Sequence, residues 1–75
     1  MEFFCVGGED AVRGFRLAGA AGRAVTDAAG AEAALAEAAA SGCKVLVVTR
    51  EAARLARASV DRLKAAGPGP LVVEI

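Results

Sequence analysis

Three short apolar runs divide the chain, and each is bounded by residues that interrupt regular structure. The runs are Phe3–Val6 before Gly7-Gly8, Val45–Val48 before Thr49, and Leu71–Val73 after Pro68-Gly69-Pro70. Their β-branched and aromatic residues predict strands rather than helices. Because each run is continuous rather than alternating, we expect strands that are covered on both faces. Arg23–Thr26 is predicted as a weaker fourth strand.

Helical segments are predicted in the intervals between these strands. They are Asp10–Ala18 with Asp10 as its N-cap, Ala31–Ala40 ended by Gly42, and Arg50–Ala66 ended by Gly67-Pro68. The order β-α-β-α-β-α-β predicts an α/β fold, in which a small four-stranded parallel sheet carries helices on both faces. Right-handed crossovers favour the strand order 2-1-3-4 of a Rossmann/flavodoxin-like topology.

Composition limits the chain to one domain, residues 1–75, and to a narrow range of chemistry. The sequence contains no histidine, which excludes a histidine general base, a Ser-His-Asp triad and a histidine metal site. Nine basic residues balance nine acidic ones, so we expect no nucleic-acid partner. No apolar run approaches the roughly 20 residues of a membrane helix, so we expect a cytosolic chain without direct membrane insertion.

The charge is distributed unevenly along the chain. Residues 1–42 hold three basic and six acidic side chains, whereas residues 43–75 hold six basic and three acidic ones. The balanced total therefore hides a basic C-terminal half, which predicts a charged surface there.

The turn after the first predicted strand is the natural place to look for a ligand. It reads Gly7-Gly8-Glu9-Asp10 and lies at the edge where parallel sheets usually bind ligands. A phosphate site is one interpretation, but the glycine-rich phosphate motifs are absent and two carboxylates would repel an anion. A receiver-type Mg²⁺ site is another, but the third strand ends in Thr49 rather than in a phosphate-accepting Asp. We therefore predict helix capping here, with no metal and no cofactor.

Cys5 and Cys43 are both expected in neighbouring strands, where a disulfide is conceivable. A cytosolic chain usually keeps its thiols reduced, and two cysteines without histidine cannot close a zinc site. Two buried free thiols are therefore the favoured interpretation.

Gly14 is unusual because a glycine within a helix costs about 1 kcal/mol relative to alanine. It is expected to allow close packing of the first helix against the sheet, although presentation of this turn to a partner is the alternative. The spacing favours core positions for Phe15 and Leu17 and exposed positions for Arg13 and Arg16.

The third predicted helix has two distinct sides. Its core side holds Ala52, Leu55, Ala56, Val60 and Leu63. Its other side holds Asp61 and four cations that we call the basic stripe, namely Arg50, Arg54, Arg57 and Lys64. The stripe is either a solvated face with an Arg57–Asp61 pair or a contact for an acidic protein partner.

The segment Val6–Gly19, which reads VGGEDAVRGFRLAG, resembles the opening of the F subunit of the V-type/A-type rotary ATPases. Val45–Glu51 and Leu71–Ile75 are similar to the third strand with its following turn and to the closing strand of that family. The resemblance implies a non-catalytic subunit of the central rotor stalk. Such a protein docks on the coiled-coil D subunit and works with the other subunits of the rotary ATPase. It is cytoplasmic and peripheral to the membrane, and it couples ATP hydrolysis or synthesis to transport of H⁺ or Na⁺.

Family members continue past the last strand into a C-terminal segment that modulates ATPase activity. We therefore expect the chain to correspond to the family's N-terminal globular domain, without that regulatory segment. The basic stripe is the predicted docking surface for the D subunit, and Arg13 with Arg16 forms the rival surface. The alternative function is a stand-alone flavodoxin-like domain that binds a small anion or acts as a degenerate receiver.

Overall fold

Strands and helices alternate along the chain in the computed structural model, which describes residues 2–75. In order, the elements are β1 (Phe3–Gly7), α1 (Glu9–Leu17), β2 (Ala21–Ala24), α2 (Ala28–Ala40), β3 (Val45–Val48), α3 (Arg50–Leu55), α4 (Arg57–Ala65) and β4 (Leu71–Glu74). The four strands form one parallel sheet in the order β2-β1-β3-β4, which confirms the predicted fold class and strand order.

The strand register decides which side chains share a face of the sheet. Cys5 pairs with Gly22 on one side and with Val47 on the other, and Val47 pairs with Val73. Because paired residues point to the same side, these four residues lie on one face. We call it the α1 face, because α1 packs on it against β1 and β2.

The opposite face, which we call the α2 face, carries most of the hydrophobic core. Phe4, Val6, Leu46 and Val48 project from it and pack beneath α2, α3 and α4. Alanines supply much of the helical side of this core, so the helices approach the sheet closely. Their buried members are Ala31, Ala34, Ala38, Ala52, Ala53 and Ala56.

The second strand lies at Ala21–Ala24, earlier than the predicted Arg23–Thr26. Gly22 explains the difference, because a Cβ there would lie 3.0 Å from both the Cys5 carbonyl oxygen and Val12 Cγ1. Close packing of backbone against β1 therefore selects glycine at the centre of β2. A glycine carries no hydrophobic signal, so the pattern of apolar residues could not reveal this strand.

The predicted third helix is divided into α3 and α4. Ala56, at φ −143° and ψ 48°, leaves the helical region between them. Ala56 remains buried in the core, together with Val60 from the first turn of α4. The local sequence has no glycine or proline at this point, so the break depends on packing against the sheet.

Two of the predicted helix starts differ from the structure. Gly8, not Asp10, is the N-cap of α1, and its carbonyl oxygen accepts the Val12 N–H at 3.0 Å. Asp10 lies in the first turn, where its exposed carboxylate faces the positive end of the helix dipole. In α2 the N-cap is Asp27, whose side chain accepts the Gly30 N–H at 2.7 Å, so this helix begins before the predicted Ala31.

Cys5 and Cys43 are buried free thiols, as the sequence favours. Cys5 lies in β1, but Cys43 precedes β3 rather than lying in it. The Cys43 thiol donates to the Ala38 carbonyl oxygen at 3.5 Å, which ties this loop to the end of α2. Burial raises the pKa of the Cys5 thiol.

Candidate docking surface

The basic stripe starts immediately after β3 and runs along α3 and α4. Thr49 caps α3 by accepting the Ala52 N–H at 3.2 Å, which directs the helix away from the carboxyl edge of the sheet. The four stripe residues are all exposed, in agreement with their predicted position. The break at Ala56 places two of them, Arg50 and Arg54, on α3 and the other two on α4.

The two stripe residues of α4 are held by Glu74 at the end of β4. Arg57 donates from both terminal nitrogens to the two Glu74 oxygens, at 2.8 and 2.9 Å, and Lys64 donates to the same carboxylate at 2.5 Å. Arg57 also donates to Asp61 at 3.1 Å, which confirms the predicted pair. The Glu74 side chain is only 23% exposed. Hydrogen bonds from Arg57 and then Lys64 lower its pKa from 4.5 to about 2.

This cluster changes what the basic stripe can offer a partner. Half of its cations serve an internal contact, which the sequence does not reveal because Arg57 and Glu74 are 17 residues apart. Among residues 2–75, neither Arg50 nor Arg54 has a carboxylate within 4.0 Å. Arg50 and Arg54 are therefore the stripe cations available to an acidic surface.

The rival pair on α1 is also exposed and partly engaged. Arg13 lies 4.0 Å from a Glu9 oxygen and 3.8 Å from an Asp10 oxygen, both loose contacts at the surface. Arg16 donates to the Gly22 carbonyl oxygen at 3.1 Å, which directs its side chain toward β2. The acidic residues of the first turn thus offset much of the positive charge of this surface.

Three residues of α1, namely Gly14, Phe15 and Leu17, lie in different environments from those that the sequence predicts. Leu17 is 85% exposed rather than part of the core, and Phe15 is half-buried. Gly14 makes no close approach to the sheet, because a Cβ at that position would meet nothing within 4 Å. Val12 alone of this helix is fully packed on the sheet, so Gly14 and Leu17 fall on its outer side. An open cleft of about 260 Å³ runs along the surface of α1 and is lined by Asp10, Ala11, Gly14, Phe15 and Ala18.

A second cleft of about 260 Å³ lies between α2 and α4. Polar groups cross its floor, where Ser59 donates to Glu32 and Arg62 donates to Ser59 at 2.8 Å. Ser59 is buried. Its bond to Glu32 connects α4 to α2, and its bond from Arg62 lies within α4. The side chains at this cleft therefore serve packing between helices, and the sequence pattern does not identify them.

The turn after β1 is built for packing rather than for holding an anion. A Cβ on Gly7 would overlap the side chain of Thr49, so glycine is required for the two strands to end side by side. The Gly7 carbonyl oxygen accepts the Val25 N–H at 2.9 Å, which occupies a polar group of this turn. In the described part of the chain, no group of three Cys, Asp or Glu residues is arranged to hold a metal ion.

None of the helices formed by residues 2–75 has the length and apolar character needed to cross a membrane. A comparison with curated proteins gives no match. A protein-family model described as the ATP synthase (F/14-kDa) subunit matches residues 4–75, which is nearly the whole chain. The chain therefore belongs to the family of F subunits of V/A-type ATP synthases.

Proposed function

We propose that the chain is a non-catalytic subunit of the central rotor stalk in a V/A-type rotary ATPase. In this role it docks on the coiled-coil D subunit and helps couple ATP hydrolysis or synthesis to the transport of H⁺ or Na⁺. It acts at the cytoplasmic side and is peripheral to the membrane through the complex. The observation that carries the proposal is the family match over residues 4–75, which takes in all four strands of the parallel sheet except the first residue of β1.

The absence of catalysis is supported by the turn that ends β1. A phosphate-binding loop presents free backbone N–H groups and a lysine to its ligand. Here Gly7 packs against Thr49, and the following helix begins with Glu9 and Asp10, whose charge repels a phosphate. We therefore assign ATP hydrolysis and synthesis to other subunits of the complex.

The basic stripe enters this proposal in a narrower form than the sequence predicts. Arg57 and Lys64 hold Glu74, so Arg50 and Arg54 are the cations proposed to attract an acidic surface of the rotor. Charges of this kind mainly set the rate and orientation of encounter rather than affinity.

Co-expression of the chain with the D subunit tests the proposal. We expect the two to elute together in size-exclusion chromatography, and the isolated chain to bind no ATP-Mg²⁺ in calorimetry. Separate elution would contradict the rotor assignment. Thermal stabilisation by inorganic phosphate or FMN would instead support the small-anion-binding alternative.

A further inference from the structure

The last strand of the sheet has a free hydrogen-bonding edge. The order β2-β1-β3-β4 leaves β4 paired with β3 on one side, and no other strand of residues 2–75 lies on its other side. Leu71 and Ile75 donate their N–H groups to backbone carbonyl oxygens on the β3 side, at 2.8 and 3.0 Å. Because the peptide groups of a strand alternate in direction, the N–H and C=O groups of Val72 and Glu74 point outward, away from β3.

This edge lacks the charged side chains that normally prevent an edge strand from pairing with another chain. The exposed side chains along it are all apolar, because Leu71 is 65%, Val73 is 37% and Ile75 is 52% exposed. The charged residue of β4, Glu74, is turned to the α2 face and is bound there by α4. The other edge strand, β2, carries Arg23 and small residues instead. The outer edge of β4 is therefore the one suited to pair with a further strand.

The spacing of the outward groups selects one antiparallel register for two copies of the chain. A two-fold axis perpendicular to the sheet at Val73 places Val72 opposite Glu74 of the second copy, and each such pair exchanges both of its backbone hydrogen bonds. An axis at Val72 would instead place Glu74 opposite Pro70, which has no N–H to donate. An axis at Glu74 would place two like charges directly opposite each other, which is destabilising. The edge of β4 is thus complementary to itself in the register centred on Val73.

The same register brings the exposed apolar side chains of the edge together. Val73 faces Val73 of the second copy across the axis, and Leu71 faces Ile75 of the second copy on either side of it. These side chains all lie on the α1 face, because they alternate along the strand with Val72 and Glu74. Each exposed apolar side chain of the edge therefore gains an apolar partner, and cross-strand pairs of this kind stabilise a sheet.

The charged side chains on the other face of β4 permit this approach. Arg57 and Lys64 of α4 both donate to Glu74, and Arg57 also donates to Asp61. Because this cluster holds as many carboxylates as cations, it carries no net charge. The clusters of the two copies, which come near each other across the axis, therefore do not repel.

We propose that the free chain forms a homodimer in which β4 pairs antiparallel with β4 of a second copy, so that the two sheets become one. The interface is isologous, because the same edge serves both partners, and the assembly therefore closes at the dimer. It is also small, since only one strand from each copy takes part, and the dimer is weak in consequence. The proposal concerns the chain outside any larger complex and does not depend on the rotor function.

Cysteine cross-linking tests both the dimer and its register. Opposite residues of a non-hydrogen-bonded antiparallel pair have Cα atoms about 4.5 Å apart, a distance that a disulfide can bridge. Val73→Cys should therefore give a cross-linked dimer when it is oxidised with copper phenanthroline. Leu71→Cys is the matched control, because this side chain is more exposed but its two copies lie about 13 Å apart in the proposed register. Cys5 and Cys43 are buried and stay in both variants. Cross-linking of Leu71→Cys as fast as that of Val73→Cys, or of neither, would overturn the proposal.

Charge at the two-fold axis gives a second test. Sedimentation equilibrium of the wild type from about 10 µM to about 1 mM should show monomer and dimer in exchange. Val73→Lys and Val73→Glu each place like charges opposite one another, so either variant alone should dimerise about tenfold more weakly or less, whereas an equimolar mixture of the two should recover dimers. A wild type that stays monomeric, or a mixture that associates no better than its components, would contradict the proposal. Should a charged variant fail to fold, the cross-linking of Val73→Cys decides. The rotor function is tested separately, by co-elution with the D subunit.

Discussion

Arg57 and Glu74 form a bidentate ion pair that fastens the last strand of the sheet to the helix before it. Two parallel hydrogen bonds, of 2.8 and 2.9 Å, join the guanidinium of α4 to the carboxylate at the end of β4. Bidentate pairs of this kind are stronger and more specific in geometry than single contacts. The edge strand β4 is therefore held in place partly by charge.

Acid should weaken the domain through Glu74. Its pKa lies at about 2 in the folded state against an ordinary value of 4.5. A lowered folded-state pKa contributes stability that is fully present above pH 4.5 and is lost as the pH falls toward 2. We expect Glu74→Gln to lower the urea midpoint at pH 7. Between pH 4.5 and pH 2, the midpoint of this variant should fall less than that of the wild type.

The control for this acid titration is Glu51→Gln, because other carboxylates titrate in the same range. Glu51 is exposed, and among residues 2–75 it has no cation within 4.0 Å. Glu51 lies in the first turn of α3, so this variant should lose only the small stabilisation that its charge gains from the helix dipole, and should otherwise follow the pH dependence of the wild type. A Glu74→Gln domain whose midpoint matches that of Glu51→Gln from pH 7 to pH 2 would show that the Arg57–Glu74 pair contributes nothing.

Two glycines should respond to alanine in opposite directions. At Gly14 a Cβ meets nothing, so Gly14→Ala should raise the free energy of unfolding by about 0.5–1 kcal/mol through helix propensity. At Gly7 a Cβ overlaps the Thr49 side chain, so Gly7→Ala should lower that free energy by about 1–3 kcal/mol through overpacking. Chemical denaturation of both variants measures the contrast. A loss of stability in Gly14→Ala would mean that α1 lies closer to a neighbour than the structure indicates.

The sequence predicts the elements that carry strong local signals. Continuous apolar runs mark β1, β3 and β4, and right-handed connections between alternating elements lead to the observed strand order. The second strand lies earlier than predicted because Gly22, which it needs for close contact with Cys5, has no hydrophobic side chain. The break at Ala56 has no sequence signal because tertiary packing, and no local breaker, produces it.

The candidate docking surface is only partly predictable from sequence. Helical periodicity correctly places the basic stripe at the surface, because it depends on one helix at a time. Arg57 is not available to a partner because it binds Glu74, and this contact joins the helix to a strand residue 17 positions later in the chain. The periodicity of one helix cannot reveal such a contact. The prediction of a core role for Leu17 was wrong because Leu17 lies on the side of α1 opposite Val12, the residue that packs on the sheet.

Removal of the cap of α2 should destabilise the domain. Asp27 accepts the Gly30 N–H at 2.7 Å and so pairs one of the donors that a helix start leaves unpaired. Asp27→Ala should lower the free energy of unfolding by about 1 kcal/mol, whereas Asp27→Asn, which can still accept this bond, should stay near the wild type. Equal midpoints of urea denaturation for the two variants would mean that the charge of Asp27, not its hydrogen bond, matters.

Charge reversal on α3 should slow encounter with the rotor partner. Arg50 and Arg54 are exposed and have no internal acidic partner within 4.0 Å in the described chain, so their replacement by Glu should leave folding nearly unchanged. We expect Arg50→Glu with Arg54→Glu to lower the association rate with the D subunit several-fold at low salt, with a weaker salt dependence and the same dissociation rate. Arg57 is unsuitable for this test, because its reversal would also break the contact with Glu74.

The matched comparison is reversal of Arg13 and Arg16 on α1. The charge of Arg13 is already offset by Glu9 and Asp10, and Arg16 is bonded to β2, so reversal should change the association rate less. Stopped-flow or surface-based kinetics at two salt concentrations separate the two surfaces. If the α1 pair slows association while the α3 pair leaves it unaltered, the basic stripe is a solvated face, and the charge that guides the D subunit lies on α1 instead.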